Sequence, residues 1–269
     1  MLLIAHDPQQ ATNFYMELQK KITDYFKRLL GRPELSLWEG HPSLARVLDI
    51  EKAIHEISYY YLNPAEADLV EDVKDYPGLS SWDAYQGCMQ QGADAAATRA
   101  VPWIRQPMIK AIPSLQISPN QDRFLSTKLL EQARAKHTLT IHPNAWMKCF
   151  GITEKAHIKQ INDQILRRIA ERQSELTAVR AKSNKKVIGV QRLISKPISF
   201  EHRPKEKSRR IYVLASEKSA RIDYIGFFRR TSALCKELYK RARLGELVQW
   251  PPGVFIPHLP PRASALGFT

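Results

Sequence analysis

The stretch EKAIHEISYYYLNPAEADLVEDVKDYPGLSSWDAY, residues 51–85, sets the reading of the fold. Asp49 stands just before it as a helix cap, since its carboxylate can accept from the first free backbone N–H groups. Ala53, Ile54, Ile57 and Tyr61 recur at helical spacing and form an apolar face. Asn63-Pro64 is expected to end this helix at about Leu62, because the residue before a proline is driven out of the α region. A short helical or turn segment follows over 65–70, then the turn-rich loop Tyr76-Pro77-Gly78-Leu79-Ser80-Ser81-Trp82.

Tyr59, Tyr60 and Tyr61 point about 100° apart around the helix, so they cannot all face a core. Tyr61 continues the apolar face. Tyr59 lies elsewhere, on one side with Asn63, one turn away. A phenol beside an amide oxygen has the parts for phosphoryl transfer. The phenol can attack a phosphodiester, and the amide oxygen is a hard ligand for Mg²⁺ or Mn²⁺. The same pair also reads as an ordinary surface pair with a helix end.

Further helices are expected over 8–30, 121–137, 154–182 and 217–244. The first carries the stripe Phe14, Leu18, Ile22, Phe26 and Leu29. The third carries Ile158, Ile161, Ile165, Ile169, Leu176 and Val179 among basic residues, so coiled-coil pairing, core packing and phosphate tracking are all open to it. Residues 2–5 have room for one short strand. Residues 93–100 are small and polar, a hinge or weak helix. Four prolines bar regular helix from 101–120, residues 201–210 are a basic polar linker, and 250–257 form a proline-rich arm.

The chain has 269 residues, 43% of them hydrophobic and 25% charged, enough to bury a core. No apolar run approaches the ~20 residues that span a bilayer. Cys88, Cys149 and Cys235 are odd in number and far apart, which points to a reducing, cytoplasmic setting. Charge is segregated. Residues 1–95 hold 8 basic and 15 acidic residues, and residues 96–269 hold 33 and 12. A block this positive suits a polyanion, nucleic acid first, although a solvated basic surface or a membrane-facing patch has the same composition. Arg167, Arg168, Arg172, Lys185, Lys186, Arg209, Arg210, Arg229 and Arg230 are the candidate phosphate contacts. Trp103 and Trp146 are candidates for stacking on unpaired bases, with a partly buried loop tryptophan as the plainer reading of each. Walker A, G-x-G-x-x-G, H-E-x-x-H and C-x-x-C motifs are absent from the sequence.

Residues 51–85 resemble the C-terminal signature of the REP-associated tyrosine transposases, relatives of the single-tyrosine HUH transposases. The matching positions are Tyr59, Asn63, Pro64, Ala67, Leu69, Val70, Tyr76, Pro77, Ser80 and Ser81, with Ala65 and Asp68 where valine and glycine are usual. The helix over 8–30 and the LWEG at 37–40 fall where that family has a helix and a tryptophan-containing turn. The resemblance implies an α+β chain: an incomplete ferredoxin-like transposase domain over 1–95 and a mainly helical, basic DNA-binding extension over 96–269. It implies that Tyr59 is the nucleophile, leaving a 5′-phosphotyrosine and a free 3′-OH. Asn63 would complete a Mg²⁺ or Mn²⁺ site, and the partner would be single-stranded or hairpin DNA. The family contains both monomers and homodimers. Its paired metal-binding histidines would fall upstream of Met1, so the expected activity of this chain is impaired, with a non-catalytic DNA- or RNA-binding remnant as the alternative.

Overall fold

A computed structural model describes residues 3–30, 33–38, 44–104, 134–195 and 211–257. The chain is helix-rich with a small strand content in two two-stranded sheets. Two compact units form. The first is built from the described residues of 45–104 and 134–216, the second from those of 3–44 and 217–257. The division expected near residue 95 falls inside the first unit.

The first unit is organised by two helices, α2 (Ile50–Glu66) and α4 (Lys155–Ser183). Asp49 caps α2 as expected, accepting from the Lys52 backbone N–H at 2.8 Å. Ala53, Ile54 and Ile57 are buried on one face of α2, and Ile158, Ile161, Ile165 and Ile169 on one face of α4. They share a single core with Trp82, Tyr85, Trp146, Met147 and Ile152. Core packing therefore accounts for the first half of the α4 stripe. Leu176 packs against its edge, and Val179 is exposed.

Between the two helices lie a 3-10 turn (Val73–Asp75), the short helix α3 (Trp82–Cys88), an antiparallel ribbon of β2 (Ala97–Ile104) and β3 (Arg134–Ile141), and a 3-10 segment (Ala145–Phe150). A short helix α5 (Val190–Ser195) follows α4. Strand β1 (Arg46–Val47) pairs in parallel with β4 (Val213–Leu214), and the Asp49 carboxylate also accepts from the Ser216 N–H at 2.8 Å. Burial pushes the Asp49 carboxyl up, but those two backbone donors and the Lys52 charge outweigh it and hold it below the usual range. The second unit contains α1 (Pro8–Leu30) and α6 (Lys218–Arg243), close to their expected bounds. Trp38 folds back on α1, donating from its indole N–H to Thr23 Oγ1 at 2.9 Å.

Several expectations are corrected. Residues 3–5 are not a strand. The segment 93–100 is neither hinge nor helix at its end, because 97–104 is strand β2. Residues 134–137 belong to β3 rather than to a helix. The remainder of the expected 121–137 helix, most of 101–120 and the 201–210 linker lie outside the described residues. Helix α2 continues through Pro64 to Glu66. Pro64 forfeits the bond its own N–H would have given to Tyr60 O. The turn beyond it is held by Ala67 N–H to Asn63 O at 2.9 Å, by burial of Ala65 and by the Arg180 guanidinium, which donates to Ala65 O.

Candidate functional site

The three tyrosines separate as their spacing requires. Tyr61 turns inward, stacked on Tyr85 with centroids 5.3 Å apart and edge-on to Trp82 at 5.1 Å. Its hydroxyl lies 3.0 Å from Ser81 Oγ. The Tyr85 hydroxyl donates to Asn162 O at 3.3 Å, and burial raises the phenol well above its ordinary range. Ser81, Trp82 and Tyr85 thus build a packed aromatic corner around Tyr61.

Tyr59 and Tyr60 face outward, 43% and 39% exposed, with ring centroids 5.9 Å apart. Burial, then the charge of Glu56 and then Tyr59, push the Tyr60 phenol up. Asn63 is exposed one turn beyond Tyr59. His55 is exposed one turn before it, 3.6 Å from Glu56 Oε1. His55, Tyr59 and Asn63 therefore form one stripe at i, i+4 and i+8. The i, i+4 rule that pairs Tyr59 with Asn63 reaches His55 as well.

The donor set does not suit a divalent cation. Asn63 offers one neutral amide oxygen. His55 is about 12 Å away along the helix axis, and Glu66 is engaged with Arg172 at 3.0 Å. Among the described residues, no group of three or more His, Cys, Asp or Glu side chains could hold a metal ion.

The basic residues divide into two sets. On α4 and just after it, Arg168 pairs with Glu51, Arg172 with Glu66 and Glu175, and Lys185 with Asp68. These cations fasten α4 to α2 and to the turn after it. Arg167 and Lys186 are exposed and have no ion pair among the described residues. So are Arg229 and Arg230 on α6. Arg209 and Arg210 lie outside the described residues. Trp146 is buried, edge-on to Phe150 at 6.1 Å, and so is not a stacking platform. Trp103 lies in β2, and its side chain is outside the described residues.

Helix α6 differs from α4 in what it shows to solvent. It carries eight basic and two acidic residues. Leu238 is its one buried residue, while Phe227 and Phe228 are 53% and 39% exposed beside Arg229 and Arg230. Exposed aromatic rings beside exposed cations that make no ion pair among the described residues are the parts of a single-strand platform: rings for bases, guanidinium groups for phosphates.

No helix of the described residues is long and apolar enough to cross a membrane. Cys88, Cys149 and Cys235 are all free. No family model, curated protein or solved structure matches the chain.

Proposed function

We propose that this chain binds nucleic acid, with single-stranded or hairpin DNA as its partner. The observation that carries the reading is α6, where Arg229 and Arg230 stand exposed, with no ion pair among the described residues, beside Phe227 and Phe228. Residues 1–95 would be the remaining part of a ferredoxin-like domain of the REP-associated tyrosine transposase type. The backbone at Asp68 supports this. It is left-handed, φ 56°, the conformation that the glycine usual at this position of the signature takes without strain.

Arg229→Gln with Arg230→Gln should weaken binding of an unpaired oligonucleotide. It should also lower the slope of log affinity against log salt by about 1.4, at ~0.7 for each phosphate of a single strand that is no longer neutralised. Fluorescence anisotropy across a salt series checks this. An unchanged slope would take α6 out of the interface, and wild type that fails to bind would end the nucleic-acid reading.

Strand transfer through Tyr59 is a second reading, favoured by the exposed His55–Tyr59–Asn63 stripe. In that step the Tyr59 oxygen bonds to phosphorus, the P–O3′ bond breaks, and the phenol proton leaves as the 3′ oxygen gains one. Tyr59→Phe should leave fold and affinity unchanged, because the ring is exposed, and should abolish any covalent adduct on labelled hairpin DNA with Mn²⁺. An adduct that survives Tyr59→Phe, or none with wild type, removes Tyr59 from the chemistry.

A further inference from the structure

Helix α6 carries most of its cations in one row. Successive residues stand about 100° apart around a helix. On that spacing Lys218, Arg229, Lys236, Lys240 and Arg243 fall within an arc of about 60°, and Ile222 and Ile225 fill it between Lys218 and Arg229. All five cations are exposed. Both acidic residues of the helix, Asp223 and Glu237, fall outside the arc. So does Arg241, which is paired with Glu246 at 2.7 Å. Lys218, Arg229, Lys236 and Arg243 make no ion pair among the described residues, and Lys240 has only Glu237, 3.6 Å away at the surface. The half-buried Ala220, Tyr224, Thr231, Cys235 and Ala242, with the buried Leu238, lie on the other half of the helix.

Helix stability does not call for this row. Cations in the last turn suit the negative end of a helix, which accounts for Lys240 and Arg243. Lys218 stands at the positive end, where a cation is unfavourable, and the first turn has no acidic residue to offset it. Arg229 and Lys236 are beyond the reach of either end. Lys236 and Lys240 are four apart and repel each other. A row that carries these costs, with no acidic residue in its arc, is complementary to an anion of its own length. Lys218 and Arg243 are the two ends of the helix, about 38 Å apart along its axis at 1.5 Å per residue. A straight line laid along a duplex crosses its two backbones only about twice in each helical turn of ~34 Å. A duplex would therefore meet about two or three of the five cations. An unpaired strand is free to follow the row, with phosphates about 3.4 Å apart when its bases stack. It can meet all five.

We infer that α6 binds an unpaired strand lengthwise, with Lys218, Arg229, Lys236, Lys240 and Arg243 on successive stretches of its phosphate backbone. This rests on the nucleic-acid reading above and extends it from the Arg229–Arg230 pair to a site as long as the helix. The test uses the full chain with oligo-dT of about 4 to 16 nucleotides, oligo-U, and a DNA duplex of about 12 base pairs. Lys218→Gln with Lys236→Gln and Arg243→Gln should weaken oligo-dT binding about a hundredfold near 100 mM salt. The same variant should lower the salt slope by about 2, at ~0.7 for each phosphate no longer neutralised. Oligo-U should lose as much, because the row meets phosphate and no base edge. The duplex should lose less than about tenfold. Lys155→Gln with Lys159→Gln and Lys182→Gln removes the same charge from exposed positions of α4 and should change binding less than about threefold. Wild-type affinity should climb with oligo-dT length up to about 11 nucleotides, the run that spans the row at ~3.4 Å each. Circular dichroism and melting temperature that match wild type in each variant separate lost contacts from lost fold. A row variant that binds oligo-dT as wild type does, or a plateau already at about 4 nucleotides, would overturn the lengthwise site and leave the Arg229–Arg230 test standing. Equal losses on the duplex, or from the α4 variant, would overturn it too, as general electrostatics. Wild type that binds none of the ligands overturns the nucleic-acid reading, and the row with it.

Discussion

Asn162→Ala should cost the first unit about 3–5 kcal/mol and lower its melting temperature by roughly 10 °C. Asn162 is fully buried in α4. Its amide donates to Met89 O at 2.7 Å and to Asn144 Oδ1 at 3.1 Å, and Asn144, also fully buried, donates to Cys88 O at 2.8 Å. The two amides thus donate to carbonyls at the C-terminal end of α3, where Cys88 O also accepts from the Gln91 N–H at 2.9 Å. Alanine removes both donations, leaving the buried Asn144 Oδ1 and the part-buried Met89 O without them, at about 1–3 kcal/mol each. It also leaves a small cavity. Asn162→Leu keeps the volume and loses only the hydrogen bonds, so comparing the two separates the terms. Asn162→Asp should be worse than leucine at neutral pH, since a carboxylate would then face two acceptor oxygens. Urea unfolding measures all three. A loss below about 1 kcal/mol for alanine would show that water replaces the amide. Because β2 begins nine residues beyond Cys88, amide exchange over 88–99 should quicken in the alanine variant.

The parts of this fold that were legible in the sequence are those whose cause is local. Helices α1, α2, α4 and α6 each repeat apolar residues at helical period, and Asp49 announces its cap within three residues. Tyr59 and Asn63 share a face because they are four apart, which needs no tertiary information. What was not legible depends on distant partners. Pro64 looks like a helix end until Arg180, 115 residues along from Ala65, supplies a donor to the last turn. Residues 93–100 lack alternation, and their strand exists because 134–141 pairs with it across a long connection. Arg168, Arg172 and Lys185 look like a free basic surface in sequence. Their engagement follows from α4 lying on α2, which brings Glu51, Glu66 and Asp68 within reach. Charge count gives the excess of cations, and only the pairing pattern shows which of them make no ion pair among the described residues.

Arg180→Met should destabilise the first unit by about 2–4 kcal/mol at pH 7, by a margin that shrinks as the pH falls. Arg180 is 7% exposed. Its Nε donates to Asp68 Oδ1 at 2.9 Å, and its guanidinium also donates to Ala65 O at the end of α2. Methionine keeps much of the packing but leaves Ala65 O with backbone donors only, the Asp68 N–H at 3.0 Å among them, and Asp68 with Lys185 alone. Asp68 itself is held in the left-handed conformation, φ 56°, so part of the pairing energy maintains a turn that the backbone disfavours. Its main chain also receives the segment after α4, with Ile188 N–H bonded to Asp68 O at 2.9 Å. The hydrogen bonds from Lys185 and Arg180 hold the Asp68 carboxyl below its usual range against a smaller opposing effect of burial. A carboxyl depressed on folding contributes its full stability above the unfolded value, about 3.9, and loses it as pH falls through the lower folded value. Asp49 and Asp72 are depressed as well and act with the same sign. Wild type should therefore weaken progressively below about pH 4. Arg180→Met should weaken less steeply there, because its Asp68 has less to lose. Urea midpoints at pH 7 and pH 3 give the comparison. A gap between wild type and variant that is the same at both would show that Arg180 acts through packing and Ala65 O, and that its charge contributes nothing through Asp68. A gap that closes would assign the end of α2, which carries Asn63, to an electrostatic lock reaching from α4.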